Sequence, residues 1–320
     1  MIMGLDIGGA NTKAGSADGS FVKSVYLPLW KGTPLAEVLR EISGEKPAAL
    51  GVVMTGELAD CYKSKLEGIE SIMGAVRAVF ACPISFWGSK GFQPGNLMEL
   101  AAANWSASAS LIAQDIGDCL FVDMGSTTTD LIPIRGEALA ASSDYMRLRN
   151  GELVYSGLLR TSLGALMPSV RIDDADVPTS SELFAITADA YLALGEISED
   201  QYACDAPDGA GKDPASVKRR LARLVCADLE ELGEDGAMAI AEQVRERQID
   251  LLVRAIYRQY DVHGLDQVAA AGIGERVIAH ACDLLGFQCI RLSERYGKRI
   301  SDIFPAYAVA RLLADQQLKA

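Results

Sequence analysis

The segment GLDIGGANTK, residues 4–13, places an aspartate, a pair of glycines and a lysine at the end of an apolar run. An aspartate at the tip of a buried strand is costly unless a partner compensates for the lost hydration of its charge. Gly8 and Gly9 let the backbone adopt a positive φ angle and let its amide groups converge on an anion. The segment therefore predicts a phosphate-binding turn in which Asp6 has a functional partner.

A second segment of the same design, LFVDMGSTTTDLIPIRGEALA, spans residues 120–140. Dipeptides typical of hairpin turns, DG at residues 18–19 and RG at residues 135–136, continue both segments in the same way. The two segments therefore predict an internal repeat of a unit made of a strand, an acidic turn and a second strand. Aligned on their aspartates, they pair Asp6 with Asp123, Gly8 with Gly125, Gly9 with Ser126, Thr12 with Thr129, and Lys13 with Asp130.

Two facing carboxylates would repel a phosphate, so the repeat predicts a magnesium ion between them. Mg²⁺ takes oxygen ligands and often keeps several waters, and Asp6 and Asp123 are its predicted ligands. For either segment alone, an aspartate that only satisfies its own turn is an equally good interpretation, but the matching pair favours a functional site. The predicted anion-binding residues are Gly8, Gly9, Asn11, Thr12, Gly125, Ser126, Thr127 and Thr128.

A third segment, DQVAAAGIGERVIAHACDLLGF at residues 266–287, has the pattern of a strand, a glycine turn and an amphipathic helix. A helix N-terminus preceded by glycine offers amide groups and the positive end of the helix dipole to an anion or nucleotide. Gly272 and Gly274 are therefore candidate nucleotide contacts, although a plain strand-to-helix turn is a simpler interpretation.

In this order the three segments resemble those of the superfamily of actin, Hsp70 chaperones and sugar kinases. In that superfamily the first two segments are phosphate loops, and the third contacts adenosine. The resemblance implies an α/β fold with two ribonuclease-H-like lobes, as in actin-like ATPases, around a central cleft. We expect residues 1–118 to form the first lobe and residues 119–320 the second, with a helical insertion at about 145–260.

The helical periodicity within that insertion predicts one buried face on its last helix, where apolar residues recur every three to five positions. These residues are Ile240, Val244, Ile249, Leu252, Ile256 and Tyr260. The basic residues of VKRRLARL, at 217–224, are expected to form a solvated helix face. Arg147, Arg149 and Arg160 are predicted partners of a carboxylate-bearing substrate.

Four further polar or aromatic positions lie in the predicted first lobe. Glu57 and Asp60 could face the cleft, but exposed loop acids are the favoured interpretation. Asn104 and Trp105 are expected to pack or to cap a helix rather than to bind a ligand.

A series of motifs along most of the chain resembles the hydantoinase/oxoprolinase-like family that is linked to tetrahydromethanopterin C1 metabolism. The motifs are DIGGANTK, MTGELAD, AAANW, VDMGSTTTDLIPI, GELVYSGLLRTSLGAL, SSELFAITADAYLALGEI and ACDAPDGAGKDPASVKRRLARLVCAD. The resemblance implies a transferase of methanofuran biosynthesis, which joins (5-(aminomethyl)furan-3-yl)methyl diphosphate to γ-glutamyltyramine and releases pyrophosphate. It implies Mg²⁺ as the cofactor, with a small-molecule diphosphate and a phenolic amine as substrates. ATP or ADP could also bind but would not be required.

The implied reaction gives the candidate catalytic residues their roles. Asp6 and Asp123 would hold the metal, while Lys13 and the hydroxyls of residues 126–128 would contact phosphate oxygens. The tyramine phenol has a reference pKa of about 10, so a base near the phenol would help the reaction. Asp130 is the candidate base because it occupies the repeat position that matches Lys13.

Composition disfavours several other classes of protein. The formal net charge of -13 in 320 residues argues against a nucleic-acid or anionic-membrane surface. Neither a membrane-spanning apolar stretch nor a signal peptide is visible, so a cytoplasmic protein is expected. Seven cysteines without a C-x-x-C pair argue against a disulfide scaffold, and the presence of only two histidines disfavours a histidine-rich metal site. The helical insertion leaves a homodimer possible.

An ATP-dependent small-molecule kinase is the main alternative within the superfamily. It would use the same phosphate loops and the glycine turn, but it would also need a catalytic aspartate to deprotonate the acceptor hydroxyl. The first lobe offers no convincing candidate for that aspartate. An actin- or chaperone-like ATP switch would normally carry a longer binding domain, and a hydantoin or oxoproline hydrolase would normally be a much longer chain.

Overall fold

The computed structural model describes residues 1–319. In chain order its strands are β1 (Ile2–Gly8), β2 (Asn11–Ser16), β3 (Val22–Tyr26), β4 (Ala49–Thr55), β5 (Ile84–Phe86), β6 (Cys119–Met124), β7 (Thr129–Arg135), β8 (Glu137–Ala138), β9 (Leu153–Val154), β10 (Ser169–Ile172), β11 (Ala175–Pro178), β12 (Gln267–Ala271) and β13 (Gln288–Arg291). Its helices are α1 (Leu35–Ser43), α2 (Lys65–Val79), α3 (Asn104–Asp115), α4 (Asp144–Asn150), α5 (Leu163–Leu166), α6 (Thr187–Ala193), α7 (Pro214–Arg223), α8 (Leu229–His263), α9 (Glu275–Leu285), α10 (Leu292–Tyr296), α11 (Lys298–Ser301) and α12 (Phe304–Lys319). Short 3-10 turns occur at Leu29–Lys31 and Leu97–Leu100.

The two main sheets have the same strand arrangement. The first has the order β3-β2-β1-β4-β5, and the second has the order β8-β7-β6-β12-β13, with β9 added beside β7. In each sheet the central strand, β1 or β6, is antiparallel to the strand that follows it and parallel to the strand on its other side. This arrangement confirms the prediction of two ribonuclease-H-like lobes that are related by an internal repeat.

The strand register confirms the alignment on which the repeat was predicted. In the first hairpin Asp6 pairs with Lys13, and in the second Asp123 pairs with Asp130. β1 is buried along almost its whole length, because helices cover both faces of its sheet, as is usual where parallel strands pair. Asp6 therefore lies inside the fold rather than on an exposed turn.

Helices α3 and α12 join the two sheets into one core. A single apolar cluster combines Val53 of the first sheet and Phe121 of the second with Leu111 of α3 and Val309 of α12. A Cβ atom on Gly4 would lie 2.0 Å from a backbone oxygen of α12, so this helix rests directly on β1. The predicted division of the chain at residue 118 stays a prediction. α12, which that division assigns to the second lobe, packs on the sheet of the first.

The insertion between β9 and β12 is mainly helical, as predicted, but it also contains the antiparallel hairpin β10–β11. Its last helix, α8, is interrupted at Gly233, where φ is 76°. The predicted apolar face of α8 is buried from Ile240 to Ile256, while Tyr260 at its end is partly exposed. The first turns of this face pack in a separate core with α5 and α7, and the later turns pack against the second sheet. Within residues 1–319, no helix combines the length and the apolar character needed to cross a membrane.

The basic face of α7 is not fully solvated, because Arg220 is completely buried. Asp213 caps this helix and Pro214 occupies its first position, as the sequence pattern of a helix start favours. The Arg220 guanidinium contacts the buried Asp189 carboxylate of α6 at 2.8 Å. Asp189 also accepts hydrogen bonds from the Tyr202 hydroxyl and from a backbone amide. The ion pair therefore ties α6, α7 and the loop between them into one unit.

Candidate active site

The two predicted phosphate loops meet in the structure, although they lie more than a hundred residues apart in the chain. The Asn11 side-chain amide of the first loop donates a hydrogen bond to the Ser126 hydroxyl of the second, at 3.1 Å. In the second loop the Gly125 amide donates to the Thr128 carbonyl at 2.9 Å and closes a tight turn. A Cβ atom added to Gly9 would meet no other atom within 4 Å, which leaves space beside the first loop.

Asp6, Asp123 and Asp130 form an acidic group around Lys13. Burial raises the pKa of Asp6 to about 6 and that of Asp123 to about 7, because it disfavours the charged form of each carboxyl group. Burial also raises the pKa of Asp130. The positive charge of Lys13 opposes the shift at all three carboxylates. Lys13, which occupies in the first repeat the position that Asp130 occupies in the second, thus compensates part of the negative charge of this group.

Asn104, at the N-terminus of α3, is a site residue that the sequence reasoning missed. Its side chain hydrogen-bonds to the Asp6 carboxylate and favours the charged form of that group. The residue belongs to the AAANW motif, and that motif was a signal that could have placed it near the first loop. Trp105, by contrast, is buried in the core, as expected.

The buried carboxylate oxygens of the site suit a magnesium ion whose other ligands are water and substrate phosphates. The Oδ1 atom of Asp6 is buried and has no hydrogen-bond partner in residues 1–319. The same residues contain no cluster of three or more acidic, histidine or cysteine side chains arranged to enclose a metal. Mg²⁺ commonly binds through one or two carboxylates, substrate phosphates and water. Asp6 and Asp123 therefore suit this open type of site and not a closed protein cage.

Arg160 lies at the second phosphate loop. Its guanidinium donates a hydrogen bond to the Thr127 hydroxyl at 2.9 Å and stacks on the Trp30 ring, 4.5 Å from the ring centroid. Gly157 lets this segment approach the loop, because a Cβ there would come within 2.5 Å of the backbone between Ser126 and Thr127. Trp30 belongs to the first lobe, so it supports Arg160 from across the cleft. Nothing in the sequence pattern had singled out this tryptophan.

The Thr12 hydroxyl does not face the cleft, contrary to its prediction as a phosphate donor. Thr12 pairs with Ile7, and alternate residues of a strand point to opposite faces of the sheet. Its side chain is therefore on the opposite side from Lys13, fully buried, and its hydroxyl has no partner within residues 1–319. Any contact between Thr12 and a ligand must come from its backbone.

The glycine turn before α9 has its backbone amides already in use. The Gly272 amide donates to the Ser301 carbonyl at 3.1 Å, and the Gly274 amide donates to the Met124 carbonyl at 3.0 Å. A Cβ on Gly272 would lie 2.3 Å from a carboxylate oxygen of Asp123. These two amides are therefore not free donors, and the glycines allow close packing behind Asp123. Contact of Gly272 and Gly274 with a nucleotide stays a prediction.

Arg147 and Arg149 do not form a substrate-binding pair. Arg147 is buried and holds the Asp130 carboxylate at 2.5 Å and the Asp144 carboxylate at 2.7 Å. Its guanidinium also lies over the Trp105 ring, 5.1 Å from the centroid. Arg149 is exposed on the same helix, and within residues 1–319 its side chain forms no hydrogen bond or ion pair. The prediction for Arg147 is therefore wrong, and Arg149 has no structural support.

Glu57 is not the exposed loop acid that the sequence favoured. Its side chain is only 2% exposed, and burial raises its pKa to about 7. Asp60, three residues later, is exposed as expected. The difference arises because the chain leaves β4 along the packed junction between the lobes, which one sequence cannot reveal.

A cavity of about 970 Å³ adjoins the loops. Lys13, Ser126 and Gly274 contribute to its wall, and Gln201 of the insertion contributes on another side. This volume is large enough for a ligand of several rings or for a nucleotide. The two loops, the acidic group around Lys13 and the cavity thus form a site for a phosphate ester whose organic part lies beside the loops.

Several known proteins are similar to this chain. Residues 49–316 match the family described as hydantoinase/oxoprolinase. A (4-{4-[2-(γ-L-glutamylamino)ethyl]phenoxymethyl}furan-2-yl)methanamine synthase of Methanocaldococcus jannaschii is 40% identical and covers 99% of this chain and 98% of its own length. A synthase of the same name from Methanococcus vannielii is 37% identical over 65% of this chain and 96% of its own length.

Among solved structures, a ROK family glucokinase of Streptomyces griseus in complex with glucose and AMPPNP aligns over 97% of this chain and 98% of its own, with a TM-score of 0.49 and 11% identity. The match over residues 49–316 and the identity of 40% over nearly the whole length carry the assignment of a family. The chain belongs to the hydantoinase/oxoprolinase family.

Proposed function

We propose that this protein is the transferase of methanofuran biosynthesis that joins (5-(aminomethyl)furan-3-yl)methyl diphosphate to γ-glutamyltyramine and releases pyrophosphate. The observation that carries the proposal is the 40% identity, over nearly the whole of both chains, to a relative named as the synthase of the resulting ether. The meeting of the two phosphate loops at a large cavity supports it, because the reaction needs a diphosphate site beside room for an organic group.

The main task of the site is to stabilise the departing diphosphate. The furan ring can delocalise positive charge as the bond between its methylene carbon and the diphosphate oxygen breaks, and the electron pair of that bond leaves with the diphosphate. Bound Mg²⁺, held by Asp6 and Asp123, would supply positive charge that offsets the growing charge of the leaving group.

The cations and hydroxyls of the loops complete the proposed clamp on the diphosphate. Lys13 and Arg160 reach the loops from the two lobes, and each can donate charge-assisted hydrogen bonds to phosphate oxygens. The hydroxyls of Ser126 and Thr127 already lie in hydrogen-bonded positions at the second loop. Because Arg160 and the two hydroxyls are held by hydrogen bonds before the substrate binds, they need little reorganisation when the charge develops.

Arg160 takes a different role in this proposal from the one that the sequence suggested. Its bond to the Thr127 hydroxyl and its stacking on Trp30 favour contact with the diphosphate and not with a glutamyl carboxylate. Asp130, the base predicted from the sequence, lies in the same acidic group but is held by Arg147. That contact favours a role for Asp130 in fixing Arg147 and shaping the floor of the cleft.

The proposal is tested by incubating the purified protein with Mg²⁺, the furan-methyl diphosphate and γ-glutamyltyramine, with and without ATP. We expect one ether and one pyrophosphate per turnover without ATP, measured by mass spectrometry and a pyrophosphate assay. Asp6→Asn and Asp123→Asn should each abolish turnover, whereas the exposed Asp60→Asn serves as the matched control. Absence of ether together with formation of ADP would refute the transferase and favour the kinase alternative. Full activity in either active-site variant would refute the metal assignment.

A further inference from the structure

The segment after β4 packs on the first phosphate loop through Gly56, the residue immediately before Glu57. The Gly56 amide donates a hydrogen bond to the Ile7 carbonyl at 3.0 Å. A Cβ atom on Gly56 would lie 3.0 Å from the Gly8 carbonyl oxygen, so the two backbones are in close contact. β4 is parallel to β1, and both strands end at the same edge of the sheet. Glu57 therefore follows directly from the edge that carries Asp6.

The Glu57 carboxyl group is buried with one oxygen left without a partner. Its Oε2 atom has no hydrogen-bond partner in the described part of the chain, although the backbone amides of Glu57 itself and of Ala102 lower the pKa of the carboxyl group slightly. A buried acceptor without a donor is destabilising by about 1–3 kcal/mol, and by more when it is charged. Such a group in a native structure calls for a reason, and an incoming hydroxyl donor would satisfy it.

The two charged residues with the largest effect on this carboxyl group act in opposite directions. Asp144 of α4 raises its pKa, and Lys65 of α2 lowers it. Asp144 is itself bound to Arg147, which also holds Asp130. Glu57 thus belongs to the same junction between the lobes as Asp130, but it has no arginine of its own.

The difference in partners decides which carboxylate can take a proton. Protonation of Asp130 would weaken its 2.5 Å contact with the Arg147 guanidinium, which opposes the upward effect of burial on the pKa of Asp130. Protonation of Glu57 breaks no ion pair, and burial favours the neutral acid. Glu57 can therefore accept and release a proton at less cost.

We propose that Glu57 is the general base that removes the phenol proton of γ-glutamyltyramine, an inference that rests on the proposed function. The phenol proton passes to the Glu57 carboxylate as the phenol oxygen forms its bond to the furan methylene carbon. The bond from that carbon to the diphosphate breaks at the same stage, and its electron pair leaves with the pyrophosphate. The proton then passes from Glu57 to water.

The ionisation of Glu57 suits this role. A general base works best when its pKa lies near the operating pH, and a positioned base typically contributes about 10²- to 10⁴-fold to the rate. Burial raises the Glu57 pKa to about 7. Only the deprotonated form accepts a proton, so the rate should rise with pH through that value and then level off.

The test compares Glu57→Gln with the wild type and with Asp60→Asn, an exposed acid of the same loop. Ether formation is followed with γ-glutamyltyramine and with analogues whose phenol rings carry one or two fluorine atoms, which makes the phenol more acidic. We expect Glu57→Gln to lose about 10²- to 10⁴-fold in kcat, with a smaller loss for the fluorinated phenols, which need less help from a base. The KM for the diphosphate should stay close to that of the wild type, and Asp60→Asn should behave as the wild type.

The pH profile separates this role from a purely structural one. At a saturating concentration of Mg²⁺, which favours the charged forms of Asp6 and Asp123, the rise in rate near pH 7 should disappear in Glu57→Gln and should persist in Glu57→Asp, which keeps a carboxylate. If Glu57→Gln folds, as judged by circular dichroism, and keeps the wild-type rate, the inference is overturned. An equal loss with every phenol also overturns it.

A measurement on the wild type alone covers the case in which the variants fail to fold. If its pH limb moves with the pKa of the phenol analogue, no protein base near pH 7 is involved and the inference fails. A limb that stays near pH 7 with every phenol, and does not move when the Mg²⁺ concentration is raised, supports it. If the wild type forms no ether at all, the proposed function has failed, which is a different result from the loss of the Glu57 assignment.

Discussion

The buried ion pair between Arg220 and Asp189 makes a strong prediction about stability. Both side chains are fully buried, and their closest atoms are 2.8 Å apart. Arg220→Ala leaves the Asp189 carboxylate inside the insertion with the Tyr202 hydroxyl and the Ile186 amide as its remaining donors. Removal of one partner of such a pair is destabilising by about 3–5 kcal/mol, because the other charge stays buried without compensation.

Asp189 also gives this loss of stability a pH dependence. Burial raises its pKa in the folded protein, and Arg220 opposes that rise. Without Arg220 the folded-state pKa rises further, whereas in the unfolded chain it stays near the reference value of about 3.9. The folded variant then binds a proton that the unfolded chain does not bind, so its stability falls as the pH rises from about 4 through the folded pKa. The deficit relative to the wild type should therefore be smaller at pH 5 than at pH 8.

Urea unfolding, followed by circular dichroism, measures this effect. With an m value of about 3 kcal/mol per molar urea, the expected loss corresponds to a shift of the midpoint by about 1–1.7 M. Arg223→Ala on the same helix is the matched control; its partly exposed contact with Asp208 should contribute less than about 1 kcal/mol. The double variant Arg220→Met, Asp189→Asn should recover much of the loss because it leaves no buried charge. A midpoint for Arg220→Ala that matches the control, or a deficit that does not change with pH, would refute the reasoning.

Two further predictions concern the cleft. Gly272→Ala should lower both turnover and the melting temperature, because the new Cβ would lie 2.3 Å from an Asp123 oxygen and the residue has a φ of +87°. Gly286→Ala is the control for backbone strain alone, because Gly286 has a φ of +71° and a Cβ there would meet no atom within 4 Å. This control should leave turnover unchanged. Arg160→Ala should reduce kcat/KM by about 10- to 100-fold, the cost of one or two hydrogen bonds to a charged group, and Arg160→Lys should restore part of it. Steady-state kinetics with varied diphosphate measures this effect, and an unchanged kcat/KM would contradict a role for Arg160 at the leaving group. Arg254→Ala, on the exposed side of α8, controls for general charge effects.

The sequence by itself determined the repeated scaffold and the position of its phosphate loops. The spacing of apolar residues, aspartates and glycines predicts a hairpin, and the same pattern is found around Asp6 and around Asp123. The alignment of Asp6 with Asp123 and of Lys13 with Asp130 was predicted from the repeat, and the structure places these residues at equivalent positions of the two hairpins. The apolar face of α8 could also be predicted, since local periodicity determines it.

The tertiary structure decided what the charged residues of the site contact. Arg147, Arg220 and Glu57 look alike in sequence to solvated charges, because burial depends on which distant segments pack over them. Arg147 forms an ion pair with Asp130, and Arg220 forms one with Asp189. Glu57 is buried at the junction between the lobes. Their burial changes the free energy of each charge through lost hydration and through partners from other elements. Local patterns therefore determined the strands and loops, whereas the roles of these charges were fixed only by long-range packing.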